Sequence, residues 1–161
     1  MELLWSPWRM AYVTAIGGDA DCFLCAALEG DDDEAVLVVH RGESTITILN
    51  KFPYNTGHVM IAPHRHVAEL SELSASERAA VMEETSRAIE AIRAAMSPHG
   101  FNVGMNLGQV AGAGVPGHVH VHVVPRWGGD TNFMPVVGQT KVLPEALADT
   151  YTNLKQAYGA T

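Results

Sequence analysis

The sequence has few cysteines, few basic residues and no long apolar run. Two cysteines among 161 residues are too few for a secreted scaffold held together by disulfides. No stretch approaches the roughly 20 uninterrupted apolar residues that a membrane-spanning helix needs. Residues 1–10 also lack the basic region and apolar run of a secretion signal. We therefore expect a cytoplasmic protein without a membrane segment.

Basic residues are outnumbered by acidic ones, ten to eighteen, which gives a formal net charge of −8. This excess disfavours binding to nucleic acids and to anionic lipids, so we expect neither as a partner. A small phosphate-bearing ligand stays compatible with the charge, because a few backbone amides and one or two cations set the local potential. The length and the hydrophobic fraction of 47% suit one domain rather than two.

Residue periodicity predicts five strands and two helices. The predicted strands are Val36–Val39, Ser44–Asn50, Val59–Ala62, Phe101–Leu107 and His118–Val124. A capping box at Ser74–Glu77 begins a long amphipathic helix that ends at Ser97–Gly100, and a C-terminal helix is predicted at Pro144–Tyr158. This order predicts an α+β fold with a largely antiparallel five-stranded sheet and helix on one face.

Cys22 and Cys25 have the spacing Cys-x-x-Cys. The spacing alone leaves three interpretations open: half of a zinc site, a redox pair, or two buried thiols. The first interpretation requires two further ligands from elsewhere in the chain.

Residues 118–124 alternate histidine and valine, which places three imidazoles on one face of a strand, about 6.6 Å apart in turn. Three interpretations are again open: an exposed surface strand, two ligands of a catalytic metal, or a nucleophile with its helpers. A neutral imidazole attacks phosphoanhydrides if one ring is held in its attacking tautomer and donors surround the developing charge. The flanking histidines and the glycine-rich residues 108–117 can supply those donors.

The segment GHVMIAPHRH at residues 57–66, followed by the motif His-φ-His-φ-His-φ-φ at residues 118–124, resembles the histidine-triad (HIT) proteins. The resemblance covers about residues 20–127 and implies one HIT domain over residues 1–161. Within it we expect an N-terminal arm at 1–21, a core at 22–127 and a C-terminal extension at 128–161. The resemblance implies that His120 is the nucleophile and that His122 and His58 order it beside the α-phosphate. The first triad residue, His118, is implied in the catalytic set and also as a metal ligand.

The resemblance also implies a substrate site. Asn50 matches the residue that binds the ribose hydroxyls, and Asn106 matches a polar position near the leaving phosphate. The matching phosphate-binding loop contains Gly108, Gly112, Gly114 and Gly117. Ile46, Ile48 and Phe52 are implied in the base pocket, although each would serve equally well as a core residue.

A structural zinc site with the ligands Cys22, Cys25, His66 and His118 is implied by likeness to several bacterial HIT proteins and to galactose-1-phosphate uridylyltransferases. Two thiolates and two imidazoles form a closed tetrahedral set, and no organic cofactor is implied. A bound ion would tie the N-terminal segment to the active-site strand and remove His118 from proton transfer. The uridylyltransferases typically have Gln where His122 stands, which argues against that branch.

Residues 101–108, 124–133 and 5–10 are most similar to the bacterial, particularly actinobacterial, diadenosine-tetraphosphate phosphorylases, also called ATP adenylyltransferases. This likeness implies an adenine dinucleoside polyphosphate and inorganic phosphate as partners, and a homodimer or larger homo-oligomer. Two alternatives are open. One is a hydrolase of dinucleoside polyphosphates or nucleoside phosphoramidates, with water as acceptor, and the other is a nucleotide-binding regulatory module.

Overall fold

The structure, a computed structural model, describes residues 22–130 and 143–160. Its centre is a five-stranded antiparallel sheet with the strand order β1-β2-β3-β5-β4. The strands are β1 Val38–Arg41, β2 Thr45–Leu49, β3 Val59–Pro63, β4 Gly100–Gly104 and β5 Val121–Arg126. The helices are α1 Phe23–Glu29, α2 Ala75–Met96 and α3 Leu147–Ala160. The predicted α+β class with a five-stranded antiparallel sheet is therefore confirmed.

Helix α2 begins where the sequence predicts it. Ser74 accepts a hydrogen bond from the Glu77 amide, and the Glu77 carboxylate accepts one from the Ser74 amide, which completes the capping box. The helix ends at Met96 and is followed by Ser97, a non-glycine residue in the left-handed region at φ 48°. Pro98 follows and cannot continue the helix.

One face of the sheet is covered by α2 and α3. Buried side chains of β2, β3 and β5, among them Leu49, Ile61 and Val121, pack there against Ile92 of α2 and Leu154 of α3. The valines of the triad segment supply this core, as the strand period predicts. The imidazoles are thereby left on the opposite face.

The opposite face is covered at β1 and β2 by the short helix α1, whose Leu24 and Ala27 pack against Ile46 and Met60. Arg41 fastens the end of this helix, because its guanidinium donates to the carbonyls of Ala27 at 2.7 Å and Gly30 at 2.8 Å. Toward β5 the face is not covered by α1. His122 lies on this part, whereas His118 faces Cys22 and Cys25 at the start of α1.

Several predicted boundaries were wrong. The triad strand begins at Val121 rather than His118, because the Val119 amide donates to the carbonyl of Val67, at 2.7 Å, instead of joining the sheet. Strand β4 ends at Gly104 rather than Leu107, and α3 begins at Leu147 rather than Pro144. The short helix α1 was not predicted at all.

The predicted N-terminal arm, residues 1–21, lies outside the described residues, and the predicted C-terminal extension is described only at 128–130 and 143–160. Among the helices that the structure describes, none is both long and apolar enough to cross a bilayer.

Candidate active site

The two cysteines and two histidines meet at one point beside the sheet. Their four ligand atoms, from Cys22, Cys25, His66 and His118, all lie within 4.8 Å of one another. The Nδ1 atom of His118 is 3.4 Å from the sulfur of Cys22 and 3.6 Å from that of Cys25. The Nδ1 atom of His66 is 3.2 Å from the Cys25 sulfur.

These distances fit a tetrahedral zinc site. With Zn–S near 2.3 Å and Zn–N near 2.05 Å, sulfur and nitrogen ligands lie about 3.6 Å apart. The Nε2 atom of His118 is 2.8 Å from the carbonyl of Pro63, which can only accept, so Nε2 carries the proton and Nδ1 presents its lone pair to the cluster. The donor set and the tautomer therefore suit zinc.

The Cys25 thiol keeps its proton at neutral pH unless a cation displaces it. Burial, followed by a hydrogen bond and the charge of Cys22, raises the pKa of the Cys25 thiol to about 11. Metal binding here therefore releases protons and weakens at acid pH.

The middle triad residue, His120, is 4% exposed. Its Nδ1 atom is 2.8 Å from the carbonyl of His118, so Nδ1 donates and Nε2 keeps its lone pair. Burial lowers the pKa of His120 and outweighs the opposing effect of that hydrogen bond. The ring is therefore neutral near pH 7 and has one nucleophilic nitrogen.

Two linked hydrogen bonds fix the rings of His58 and His122. The Tyr54 amide donates to Nδ1 of His58 at 3.1 Å, which places the proton of neutral His58 on Nε2. That Nε2 is 3.0 Å from Nδ1 of His122, which therefore accepts. Neutral His122 then carries its own proton on Nε2. The ring of His122 meets that of His120 edge to face, with centroids 4.8 Å apart.

Two cavities lie on the imidazole face. Ile48, Met60, His122 and Gly104 are successive partners across the sheet, so they form one row on this face. A cavity of about 360 Å³ lies at the β2 end of the row, and a cavity of about 540 Å³ lies at the β4 end. His120 is among the lining residues of neither cavity, and its ring contacts that of His122, which lines the larger one.

The predicted base and ribose residues are brought together at the 360 Å³ cavity, which Ile48, Asn50 and Phe52 all line. Ile48 is 3% exposed and Phe52 is 58% exposed. The side-chain oxygen of Asn50 accepts from the Phe52 amide at 2.9 Å, which is also the role of a turn residue at a strand end.

Asn106 lines the larger cavity together with His122. Its amide donates to the carbonyl of Gly112 at 3.3 Å and so supports the glycine-rich loop. Gly108 and Gly112 have φ of 79° and 88°, which other residues rarely adopt. The Gly112 amide donates to Gln109 within the loop, so it is not free to hold a phosphate oxygen. Gly114 and Gly117 lie between this turn and His118.

The three triad rings do not form one group: His118 belongs to the cysteine cluster, and His120 and His122 contact each other. His118 turns its ring to the cysteines and contacts His66, with centroids 5.0 Å apart. In the described part of the chain, the cysteine cluster is the one group of three or more side chains arranged to hold a metal. The catalytic-metal interpretation of His120 and His122 therefore finds no ligand set there.

A profile of the HIT domain matches residues 32–129. The chain belongs to the histidine-triad (HIT) family. A HIT relative, the AP-4-A phosphorylase of Mycobacterium tuberculosis strain H37Rv, is 44% identical over 157 residues, covering 93% of this chain and 80% of that protein. The asymmetrical bis(5'-nucleosyl)-tetraphosphatase of Schizosaccharomyces pombe is 34% identical over 89 residues, covering 55% of this chain and 48% of that protein.

Solved HIT structures share the fold. A zinc-bound histidine triad family protein from Mycobacterium smegmatis superimposes with a TM-score of 0.72 and 25% identity, over 89% of this chain and 96% of that chain. A histidine triad nucleotide-binding protein from Sulfolobus tokodaii strain7 gives a TM-score of 0.69 at 22% identity, over 86% and 93% of the two chains. The predicted family and fold are thus confirmed.

Sequence reasoning missed Tyr54, although it contacts two of the catalytic candidates. Its ring stacks on His58, with centroids 5.0 Å apart and planes 13° apart, and it lies 6.3 Å from the His122 ring. These contacts are made by a backbone amide and a ring stack, so no residue pattern in the sequence marked Tyr54.

Proposed function

We propose that this HIT protein is a nucleotidyl-transfer enzyme that cleaves diadenosine tetraphosphate by phosphorolysis, giving ATP and ADP. The observation that carries the proposal is the state of His120, a buried neutral ring whose Nδ1–H is held by a carbonyl and whose Nε2 is left to attack. The likeness to the M. tuberculosis AP-4-A phosphorylase supports the choice of substrate.

The reaction is a double displacement. The lone pair of His120 Nε2 forms a bond to the α-phosphorus, the P–O bond to the leaving group breaks, and its electron pair leaves with ATP. The ring keeps its Nδ1–H and becomes a cationic adenylyl-imidazole. An oxygen of inorganic phosphate then attacks the same phosphorus, the N–P bond breaks, and ADP and neutral His120 are released.

Neighbouring residues stabilise this reaction. His122, with its proton on Nε2, donates to the charge that develops on phosphate oxygens, and His58 fixes that tautomer. Asn106 and the loop with Gly108, Gly114 and Gly117 hold the phosphates, and Asn50 binds the ribose. Ile48 and Phe52 cover the adenine in the 360 Å³ cavity.

A structural zinc ion held by Cys22, Cys25, His66 and His118 belongs to the same proposal. The ligand set is closed, so zinc would supply rigidity rather than an open coordination position. Its role is to hold the backbone of His118, whose carbonyl orients the nucleophile. The zinc-bound M. smegmatis structure supports zinc as the ion.

Product analysis on diadenosine tetraphosphate tests the acceptor. With inorganic phosphate we expect ADP and ATP in equal amounts, and ¹⁸O-labelled phosphate should label the terminal phosphate of ADP. AMP and ATP as sole products, in amounts that added phosphate does not change, would exclude phosphorolysis.

That second outcome would identify the hydrolase alternative, in which water accepts the adenylyl group. The likeness to the S. pombe tetraphosphatase favours keeping it as the second candidate. Both candidates need the same His120 intermediate, so they differ only in the second step.

We also propose a homodimer or larger homo-oligomer in the cytoplasm. Strand β4 pairs only with β5 among the described strands and exposes Val103, so its outer edge can pair with a second copy. Light scattering that gave the mass of a single 17.3 kDa chain at micromolar concentration would contradict this.

A further inference from the structure

Tyr54 makes two independent contacts with His58, one of the catalytic candidates. Its backbone amide donates to Nδ1 of His58 at 3.1 Å, and its ring stacks nearly parallel on the same imidazole, 5.0 Å between centroids. His58 is completely buried between strand β3 and this stack, so its ring has little freedom to turn. Tyr54 itself is half-buried and lines the larger cavity beside His122.

The direction of the hydrogen-bond chain follows from its first member. A backbone amide can only donate, so Nδ1 of His58 must accept and the proton of neutral His58 stands on Nε2. Since Nε2 of His58 carries the proton, it donates to Nδ1 of His122 at 3.0 Å. The proton of neutral His122 is therefore on Nε2. With the opposite tautomer, the Nδ1–H of His58 would face the N–H of the Tyr54 amide, and neither could accept.

The Tyr54 amide at the start of this hydrogen-bond chain also limits proton transfer along it. A backbone N–H cannot give up its proton near neutral pH, so the Tyr54 amide cannot return to His58 a proton passed to His122. The chain is therefore suited to holding a hydrogen-bond donor in place and unsuited to relaying protons from its buried end.

We propose that Tyr54 is a positioning residue that sets the tautomer of His58 and thereby makes His122 Nε2–H a fixed donor to the leaving phosphate oxygen. This inference rests on the proposed adenylyl transfer to His120. The amide selects the tautomer, and the aromatic ring keeps the His58 plane where that hydrogen bond is straight. The phenol hydroxyl has no part in either contact.

The first test is the ¹⁵N spectrum of the wild-type protein labelled at histidine, recorded near pH 8 without substrate. We expect neutral His58 and neutral His122 both as Nε2–H tautomers. Either ring as the Nδ1–H tautomer, or as a fast mixture of the two, would overturn the proposal. This measurement needs no variant and no turnover, so it stands even if the proposed substrate is wrong.

The second test compares Tyr54→Phe with Tyr54→Leu in single-turnover adenylylation. We expect Phe to keep the wild-type rate and Leu to lower the adenylylation rate constant about tenfold on diadenosine tetraphosphate, because the donor acts in the transition state. The half-saturating substrate concentration should change less than about twofold. The loss should be smaller, below about threefold, for the p-nitrophenyl ester of AMP, whose leaving group needs little help.

The control outcomes separate this idea from the proposed function. A Leu variant equally slow on both substrates, or a Phe variant as slow as Leu, would overturn the positioning role. No adduct from the wild-type protein on either substrate would instead reject adenylyl transfer, while the ¹⁵N spectrum still tests the tautomers. Should the Leu variant fail to fold, the ¹⁵N spectrum of the wild-type protein still decides the tautomers of His58 and His122.

Discussion

His120 joins two properties that an imidazole nucleophile needs. Burial lowers its pKa, which keeps the ring unprotonated near neutral pH, and the carbonyl of His118 holds the remaining proton on Nδ1. Free histidine in water divides between two tautomers and titrates near pH 6.5, so neither property is intrinsic to the side chain. Both properties of His120 therefore come from its surroundings in the fold.

Asn50 gives a prediction about substrate recognition at the residue scale. Replacing Asn50 by Ala should raise KM for diadenosine tetraphosphate about threefold to tenfold, because one hydrogen bond to a ribose hydroxyl is lost. Steady-state kinetics on the 2′-deoxy analogue serve as the control, since that substrate has already lost the partner. Equal losses on both substrates would mean that Asn50 acts only through its turn with Phe52.

Single residues differ in how well the sequence predicts them. The roles proposed for His120, His122 and the four cluster ligands rest on the chemistry of their own side chains, so their types and spacing point to the site. Tyr54 acts through its amide and through stacking, which many residue types could supply, and no pattern of residue types marks such a role. The contacts of Tyr54 with the site are visible only in the structure.

At the scale of elements, the start of helix α2 depends on Glu77. Hydrogen bonds from Arg65, at 2.6 Å and 3.1 Å, and then from Ser74 lower the pKa of this carboxyl to about 2, from an ordinary value of 4.5. A carboxyl whose pKa is lower in the folded state stabilises the fold above its unfolded pKa. That contribution is lost as the pH falls through the folded pKa.

The pH dependence of a Glu77→Gln variant tests this arrangement. Urea unfolding should show wild type more stable than the variant above pH 4.5, with the difference shrinking as the pH falls from 4.5 toward about 2. Glu83→Gln, at an exposed position on the same helix, is the control. A stability difference that stays constant over this range would contradict the role given to the Glu77 charge.

Helix α3 contributes to the core through Leu154, which is fully buried against the sheet and α2. Leu154→Ala should lower the free energy of unfolding by about 2–5 kcal/mol, because it removes buried methyl groups and leaves a cavity. Met82→Ala, at a side chain that is 55% exposed, should change it by less than about 0.5 kcal/mol. Similar urea midpoints for both variants would show that α3 is not part of the cooperative core.

The elements were predicted unevenly for a physical reason. Helix α2 has 22 residues and a capping box, so the sequence predicts both its helical hydrophobic period and the residue at which it begins. Helix α1 has only seven residues, about two turns, and is held by Arg41 of the next element, strand β1. The first residues of the triad segment leave the sheet because a loop amide-carbonyl pairing competes with the ladder.

At the scale of the whole molecule, the metal cluster joins three distant parts of the chain. Cys22 and Cys25 precede and begin α1, His66 follows β3, and His118 leads into β5. A bound ion would therefore stabilise the fold and steady the His118 carbonyl at the same time.

Removal of the metal tests this coupling. We expect one zinc per chain by elemental analysis, and a loss of at least about 10 °C in Tm on chelation, because a structural site contributes several kcal/mol. Cys25→Ser should abolish zinc binding, whereas His64→Ala, beside the cluster but outside it, should not. Unchanged Tm after complete removal of zinc would contradict a structural role.

The most direct test of the central claim is the intact mass of the protein after it is mixed with diadenosine tetraphosphate and quenched without phosphate. We predict a mass increase of one adenylyl group on wild type and His64→Ala, its discharge as ADP when phosphate is added, and no increase on His120→Ala. Adduct formation on His120→Ala at the wild-type rate would contradict the assignment of His120 as the nucleophile.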